Sequence, residues 1–333
     1  MTQRTILFLP PVGLARDILS ERARATLTSL GQVTWNTMER DYTAEELGAM
    51  LPEADAVITS WGSPTLTEEL LSRAPRLRLV GHAAGSVKHL MPKEGYDRGV
   101  VVLSASAVIA DSVAEYTLWA MLSMQRDLYR HDHTMKVEHA WKHGPAFGHE
   151  LYGKKVGLVS ASMIGRRVIV LLRPFHCEIT VYDPYLSAVQ AMDLGARRVS
   201  LEELFAENDI VSVHAPITPE TRAMIGAPHF RAMQDGALFI NTARAWVLDE
   251  SALVAELATG RIRAVLDVYN QEPLPADHPL RGMDNVFLTP HVAGFTFESR
   301  MRLVEAIADD MARFYGGEMP RLAVSWERLQ TMA

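Results

Sequence analysis

Short apolar runs alternate with helix-patterned segments along almost the whole chain, and this alternation restricts the fold to parallel βαβ units more tightly than any other feature of the sequence. Parallel neighbours need a crossover, and a helix is the usual one. A first set of strand-like runs covers residues 5–9, 32–36, 55–59, 77–82 and 100–103. Helical patterns fill the gaps, such as 44–51, entered from Thr43, and 66–73, with Glu68 and Glu69 early in it. A second set of six runs follows from Tyr152, at 155–160, 178–182, 209–214, 237–241, 264–268 and 285–288. Helices at 201–206 and 251–257 lie among them, the latter closed by Thr259-Gly260. Six such strands with short loops predict a doubly wound dinucleotide-binding sheet.

Between the two sets, Ser112 with Glu115 three residues on predicts a capping box and a long helix from Asp111-Ser112 to about Leu128. The arm that follows, 131–149, holds five of the twelve histidines. His139 and His143 have the i, i+4 spacing of a metal pair, but no third ligand stands at suitable spacing, so a solvated arm or a subunit contact is the better reading. After His291 a helix from about Phe297 to Tyr315 lies beyond the last strand and is free to cross back onto the first set.

A length of 333 residues exceeds what one core usually supports, which predicts two domains. Apolar residues at 48% and charged residues at 22% exclude a disordered chain. The formal net charge of -7, without a block of like charge, argues against nucleic acid and anionic membrane and favours small-molecule partners. Charges interrupt every apolar stretch before the roughly 18 residues that a bilayer span needs. The run from Ile6 to Leu9, ended by Pro10-Pro11, is too short for a signal segment. The single cysteine, Cys177, excludes an internal disulfide and reads as a core filler, which fits a cytoplasmic protein.

Three strand-to-loop exits carry the chemistry: Asn241-Thr242-Ala243-Arg244, Asp267-Val268-Tyr269-Asn270-Gln271-Glu272-Pro273 and Thr289-Pro290-His291-Val292-Ala293-Gly294. Arginine is a fixed cation whose planar fork grips carboxylates. Histidine beside a carboxylate exchanges a proton near neutral pH. An acid–base pair next to an anion clamp predicts chemistry on an anionic substrate.

The turn after the run 155–160 is where a dinucleotide fold places its glycine-rich loop. It reads Ser160-Ala161-Ser162-Met163-Ile164-Gly165, so only the third glycine of G-x-G-x-x-G is present. The strand before it, the helix after it with Arg166 and Arg167, and Asp183 at 183 - 165 = 18 residues past Gly165 supply the context of a cofactor site. The side chain of Ser162 should push the phosphates outward or hydrogen-bond them directly. Asp183 would repel a 2′-phosphate, and Asp183-Pro184-Tyr185 brings no arginine to accept one, so NAD is expected over NADP.

With these segments, and with Glu150-Leu151-Tyr152-Gly153-Lys154 and His214-Ala215-Pro216 followed by Thr218-Pro219-Glu220-Thr221, the chain resembles the NAD-dependent D-isomer-specific 2-hydroxyacid dehydrogenases over nearly its whole length. The resemblance implies an α/β protein of two doubly wound parallel-sheet domains. A Rossmann-type NAD-binding domain at 106–296 would be inserted into a smaller flavodoxin-like substrate domain made of 1–105 and 297–333. It implies reduction of a 2-oxo acid to a D-2-hydroxy acid, with Arg244 orienting the substrate, His291 as acid/base and Glu272, taken as buried, favouring the imidazolium. Ser162, Met163, Ile164, Gly165, Asp183, Thr242, Ala243 and Asp267 would bind the cofactor, Asp267 facing the nicotinamide carboxamide. Ala84, Gly85 and Ser86 would hold the substrate carboxylate, aided by the loop of Ser60, Trp61 and Gly62. A homodimer through the long helix and the arm is also implied.

The sequence departs from the family pattern in the two serines of the phosphate loop, in Ala84-Gly85-Ser86, and in the bulk of Trp246 and Phe295. The substrate therefore stays unnamed. A glutamine at position 272 would indicate formate oxidation, and Glu272 argues against it. Two other readings stay open: a relative acting on another small acid such as phosphite, and a non-enzymatic, corepressor-like NAD(H)-responsive protein.

Overall fold

In the computed structural model, which describes residues 4–141 and 147–332, the chain divides into two compact units, Met1–Ile109 with Phe295–Ala333, and Ala110–Gly294. Unit 1 contains β1 (Thr5–Phe8), β2 (Gln32–Trp35), β3 (Ala56–Thr59), β4 (Leu79–His82) and β5 (Val101–Ser104). Its sheet is parallel, in the order β2-β1-β3-β4-β5. Alternate residues of the inner strands enter opposite apolar layers, whereas the edge strand β2 leaves Gln32 and Thr34 exposed. In β1, Ile6 and Phe8 pack with the C-terminal helix Phe297–Tyr315, while Leu7 packs with Leu47, Leu51 and Leu70. A parallel sheet buried on both faces needs such strands. The helix Phe297–Tyr315 lies so close to β4 that a Cβ on Gly81 would collide with Ile307, which explains a glycine in mid-strand.

Unit 2 contains β6 (Lys155–Val159), β7 (Glu178–Tyr182), β8 (Arg197–Arg198), β9 (Ile210–Val213), β10 (Leu238–Asn241), β11 (Arg263–Leu266) and β12 (Val286–Leu288), in the parallel order β12-β11-β10-β9-β6-β7-β8. The order reverses at β6, which pairs with both β7 and β9. One row of paired residues crosses this sheet: Tyr182, Val159, Val213, Asn241, Leu266 and Leu288. Asp183, Ser160 to Ser162, His214, Arg244, Asp267 and His291 all follow within three positions of that row. The register therefore delivers them to the same carboxyl edge of the sheet, where open α/β folds bind ligands.

Two elements differ from the sequence expectation. The long helix is Ser106–Gln125, so Ser112 lies inside it and does not cap it. The stretch Ser106-Ala107-Val108-Ile109-Ala110 contains no breaker, and the helix starts directly after β5. Asp127, in the left-handed region at φ 52, then separates it from a second helix, Leu128–Lys136. The other difference is β8, a two-residue strand of exposed arginines that no apolar pattern announces. Cys177 is partly buried against the unit 2 core, its thiol donating to Leu151 O at 3.4 Å, and burial pushes its pKa up. Of the arm, residues 142–146 and with them His143 lie outside the described residues. Among the described residues there is no group of three or more His, Cys, Asp or Glu placed to hold a metal, and no helix long and apolar enough to cross a membrane.

Candidate active site

Asn241 ends β10 and shapes the turn after it, its Oδ1 accepting from Ala243 N at 3.0 Å and its Nδ2 donating to Arg244 O at 3.2 Å. Such an Asx turn fixes where Arg244 leaves the sheet. The Arg244 guanidinium is partly buried and donates to Ala243 O at 2.7 Å. Burial pushes its pKa down from the usual arginine value, and the charge of Glu272 opposes this. From so high a starting value the side chain stays a cation.

His291 follows β12 in a left-handed conformation, φ 57, and its Nδ1 lies 2.7 Å from Glu272 Oε2. A carboxylate only accepts, so Nδ1 carries the hydrogen and Nε2 is the nitrogen left for a ligand. Glu272 is oriented in turn by the Tyr269 N–H, which donates to Oε1 at 3.0 Å. The sequence reading took this carboxylate as buried. In fact the Glu272 and His291 side chains are 38% and 50% exposed.

Asp267 explains how His291 is held. It is 1% exposed, and its carboxylate accepts from Thr289 Oγ1 at 2.6 Å, Val292 N at 2.9 Å and Ala293 N at 2.9 Å. These donors flank His291 on both sides. Thr289 gives its one hydroxyl hydrogen to Asp267, so Tyr116 donates to Thr289 across their 2.6 Å contact. Tyr269 also donates to Thr289 O at 2.8 Å. Nothing in the sequence singles out Tyr116 for this task, whereas Thr289 is at least adjacent to the Pro-His pair. Arg244, Glu272 and His291 line one hollow of about 230 Å³, with Trp246 and Asn270 among its other walls.

At the other side of the sheet, the loop after β6 leads into the helix Met163–Leu172, capped by Ser162, whose hydroxyl accepts from Gly165 N at 3.4 Å. The Met163 and Ile164 amides have no acceptor inside the helix and are free for an anion. A Cβ on Gly165 would collide with Ser160 O, so this glycine serves the close strand–helix approach that the motif predicts. Ser160 takes φ 82, a region that favours glycine, and its hydroxyl donates to Asp183 Oδ2 at 3.1 Å. The same oxygen accepts from Ala161 N at 2.9 Å, while Oδ1 accepts from Tyr185 N at 2.9 Å. Asp183 thus shapes the loop after β6. His214, beside the loop, is buried with Nε2 3.0 Å from Ser212 Oγ and Nδ1 unpartnered, and burial pushes its pKa down to about 3. Thr242 and Ala243, both buried, lead into Arg244.

In unit 1, Ser60 Oγ donates to Ala83 O at 2.9 Å, tying the Trp61 loop to the Ala84-Gly85-Ser86 loop. Ala84 is buried, and the Gly85 carbonyl accepts from Ser104 Oγ at 3.1 Å. Trp61 is 44% exposed and stacks with the Arg300 guanidinium, which also lies 4.0 Å from the Phe295 ring centroid and pairs with Asp17 at 2.9 Å. His82 at the end of β4 contacts Thr59 Oγ1 at 2.9 Å, and burial pushes its pKa down to about 4.

Residues 118–293 match the profile of the D-isomer specific 2-hydroxyacid dehydrogenase NAD binding domain. The chain is 33% identical over 317 residues to a D-3-phosphoglycerate dehydrogenase of Mycobacterium tuberculosis, covering 95% of this chain but only 59% of that protein. It is 34% identical over 281 residues to a glyoxylate reductase of Korarchaeum cryptofilum, covering 83% of this chain and 84% of the reductase. Among solved structures, it is similar to a phosphoglycerate oxidoreductase from Rhizobium etli, with 28% identity, a TM-score of 0.80 and coverage of 97% of this chain and 98% of that one.

Proposed function

The chain belongs to the D-isomer-specific 2-hydroxyacid dehydrogenase family, and on that premise we propose that it transfers hydride reversibly between NAD(H) and C2 of a 2-oxo acid/D-2-hydroxy acid pair. The observation that carries the reading is the 2.7 Å His291–Glu272 contact inside the hollow that Arg244 shares. A bound nicotinamide supplies or accepts the hydride; the chain does the rest. During reduction, negative charge grows on the former carbonyl oxygen, and protonated His291 gives that oxygen a proton from Nε2. Glu272 keeps hold of Nδ1 throughout, which aims the ring. Arg244 holds the substrate oxygens with a charge that does not titrate. During oxidation, neutral His291 takes the hydroxyl proton back through Nε2.

In this reading the loop of Ser162, Met163, Ile164 and Gly165 would hold the pyrophosphate, with the Met163 and Ile164 amides donating, Asp183 would hold the adenine ribose, and Thr242, Ala243 and Asp267 would flank the nicotinamide. The carboxylate of Asp183 supports NAD over NADP. Trp61 and the amides of Ala84, Gly85 and Ser86 are assigned to substrate binding. Exposed apolar side chains at Leu128, Met135, Val137, Trp141 and Phe147 in unit 2 support a homodimer, which sedimentation of the purified protein tests. The lone, unpaired cysteine supports a reducing, cytoplasmic setting.

The test is NADH oxidation, followed at the nicotinamide absorbance, with a panel of 2-oxo acids. Turnover of at least one of them is expected. Tight NADH binding without turnover across the panel would move the protein to the NAD(H)-responsive binding class, for which the altered Ser160/Ser162 loop is the supporting feature.

A further inference from the structure

We propose that Trp246 selects the substrate, and that the substrate is a 2-oxo acid whose C3 substituent is bulky, uncharged and apolar, with an aromatic ring fitting best. The inference rests on the dehydrogenase reading above. Trp246 lines the same hollow as Arg244, Glu272 and His291, and the residue is 48% exposed. A large apolar surface facing a reaction site gains most when the ligand covers it. Ala245, Val268 and Tyr269 extend the apolar wall, and all three are buried. The hollow measures about 230 Å³, whereas a single water needs only ~10–15 Å³ on such a measure. A two-carbon acid would leave most of it wet.

The backbone that carries the indole is held before any ligand arrives. Trp246 O accepts from Ala223 N at 2.9 Å, and Ala223 sits at φ 51, a left-handed conformation that the turn imposes. That turn is locked by Thr218 N donating to Thr221 Oγ1 at 2.8 Å, which donates to Pro216 O at 2.7 Å. The Arg222 guanidinium is 5.2 Å from the indole centroid, within cation–π range. A rigid, flat indole favours a stacked or edge-on ring.

Charge separates this class from phosphorylated acids. Among the described residues lining the hollow, the cations are Arg244 and protonated His291, both assigned to oxygens at the reacting end. Arg222 is not in the lining. A distal phosphate inside the hollow would meet the Glu272 carboxylate, and the described lining holds no cation besides Arg244 and His291 to pair it.

The experiment measures kcat/KM with NADH for phenylpyruvate, 4-methyl-2-oxopentanoate, pyruvate, glyoxylate and phosphohydroxypyruvate, in the wild type and in Trp246→Ala and Trp246→Phe. NADH dissociation constants and melting curves of the variants are taken alongside. Phenylpyruvate should exceed pyruvate by at least ~10-fold, the ratio should fall at least ~10-fold in Trp246→Ala, and Trp246→Phe should retain most of it. Glyoxylate or phosphohydroxypyruvate as best substrate, or an unchanged ratio in a folded Trp246→Ala, overturns the proposal while leaving the dehydrogenase reading in place. No oxidation of NADH by any of the five acids overturns both.

Discussion

The two ends of the unit 2 sheet use the same device for different purposes. At each end an aspartate just past a strand, Asp183 after β7 and Asp267 after β11, captures a hydroxyl and one or two amides of the loop leaving the neighbouring strand. Each captured loop contains a non-glycine residue in the left-handed region, Ser160 at φ 82 and His291 at φ 57. The difference lies in what the aspartate has left to give. Asp267 is 1% exposed and holds two amides and a hydroxyl around His291. Asp183 is 9% exposed, and its Oδ1 accepts only from Tyr185 N among the described contacts. One is an anchor for the His291 loop, proposed as catalytic, the other an anchor whose Oδ1 is left, on the proposed function, for a ribose hydroxyl.

Asp267→Ala tests the first half of that statement and should have the largest effect. Removing the carboxylate strands the buried amide of Ala293 and releases the His291 loop, at roughly 1–3 kcal/mol for each unmet group. Turnover should fall at least ~100-fold, the scale of a lost general acid, and the melting temperature should fall with it. His291→Ala should lose turnover to the same extent with the melting temperature nearly unchanged and NADH still bound. Equal melting curves for the two variants would show that Asp267 anchors nothing.

Asp183→Ala comes next, and its loss should fall on cofactor affinity more than on kcat. Hydrogen bonds to a charged group contribute about 1.5–3 kcal/mol, so NADH should bind roughly 10- to 100-fold more weakly. Discrimination against NADPH should shrink as well, because the repelling charge is gone. Fluorescence titration with both cofactors reads both effects.

Acid offers a third probe of the cofactor end, because His214 is buried beside the phosphate loop, whereas His291 is open to solvent. His214 is held down to about 3 and His82 in unit 1 to about 4, against an ordinary value near 6.5. A depressed histidine leaves stability intact above about 6.5 and removes it as pH falls towards the folded-state value, since the unfolded chain takes up the proton first. At pH 5 each costs about 2 kcal/mol. Melting temperatures measured from pH 7.5 to 5 should therefore drop, and His214→Asn should flatten the slope. A slope that is unchanged in this variant would remove His214 from the account.

These anchors also mark where sequence reading stopped. Arg244, Glu272 and His291 stand out because each is a polar residue in a short motif after an apolar run, and strand periodicity alone puts those runs at one sheet edge. The helix Phe297–Tyr315 was equally legible, and the structure adds its Thr296 cap. Asp267 and Asp183 read as cofactor ligands, and sequence cannot show that their oxygens also accept from the next loop. Ser112 misled through a cap signal inside an already formed helix, because a capping box tells where a helix can start, whereas the chain entering from β5 decides where it does. The pairing of Arg222 with Trp246 was invisible, since the two lie 24 positions apart and meet through backbone bonds of Ala223 and Ile225 to the 246–249 segment.

The smallest effect tests what Ser160 contributes to the cofactor end. Its left-handed backbone costs about 1–2 kcal/mol relative to a relaxed residue, and its hydroxyl bond to Asp183 offsets about 1 kcal/mol or more of that. Ser160→Ala keeps the strain and loses the bond, so NADH affinity should fall several-fold. Ser160→Gly loses the bond and the strain together, and affinity should stay within about threefold of the wild type. If alanine and glycine behave alike, the strain is not there, and the comparison with His291, whose left-handed geometry is held by bonds on both sides, loses its second term. If glycine binds NADH better than serine, the hydroxyl is the weaker partner, and Asp183 holds the loop chiefly through the Ala161 amide.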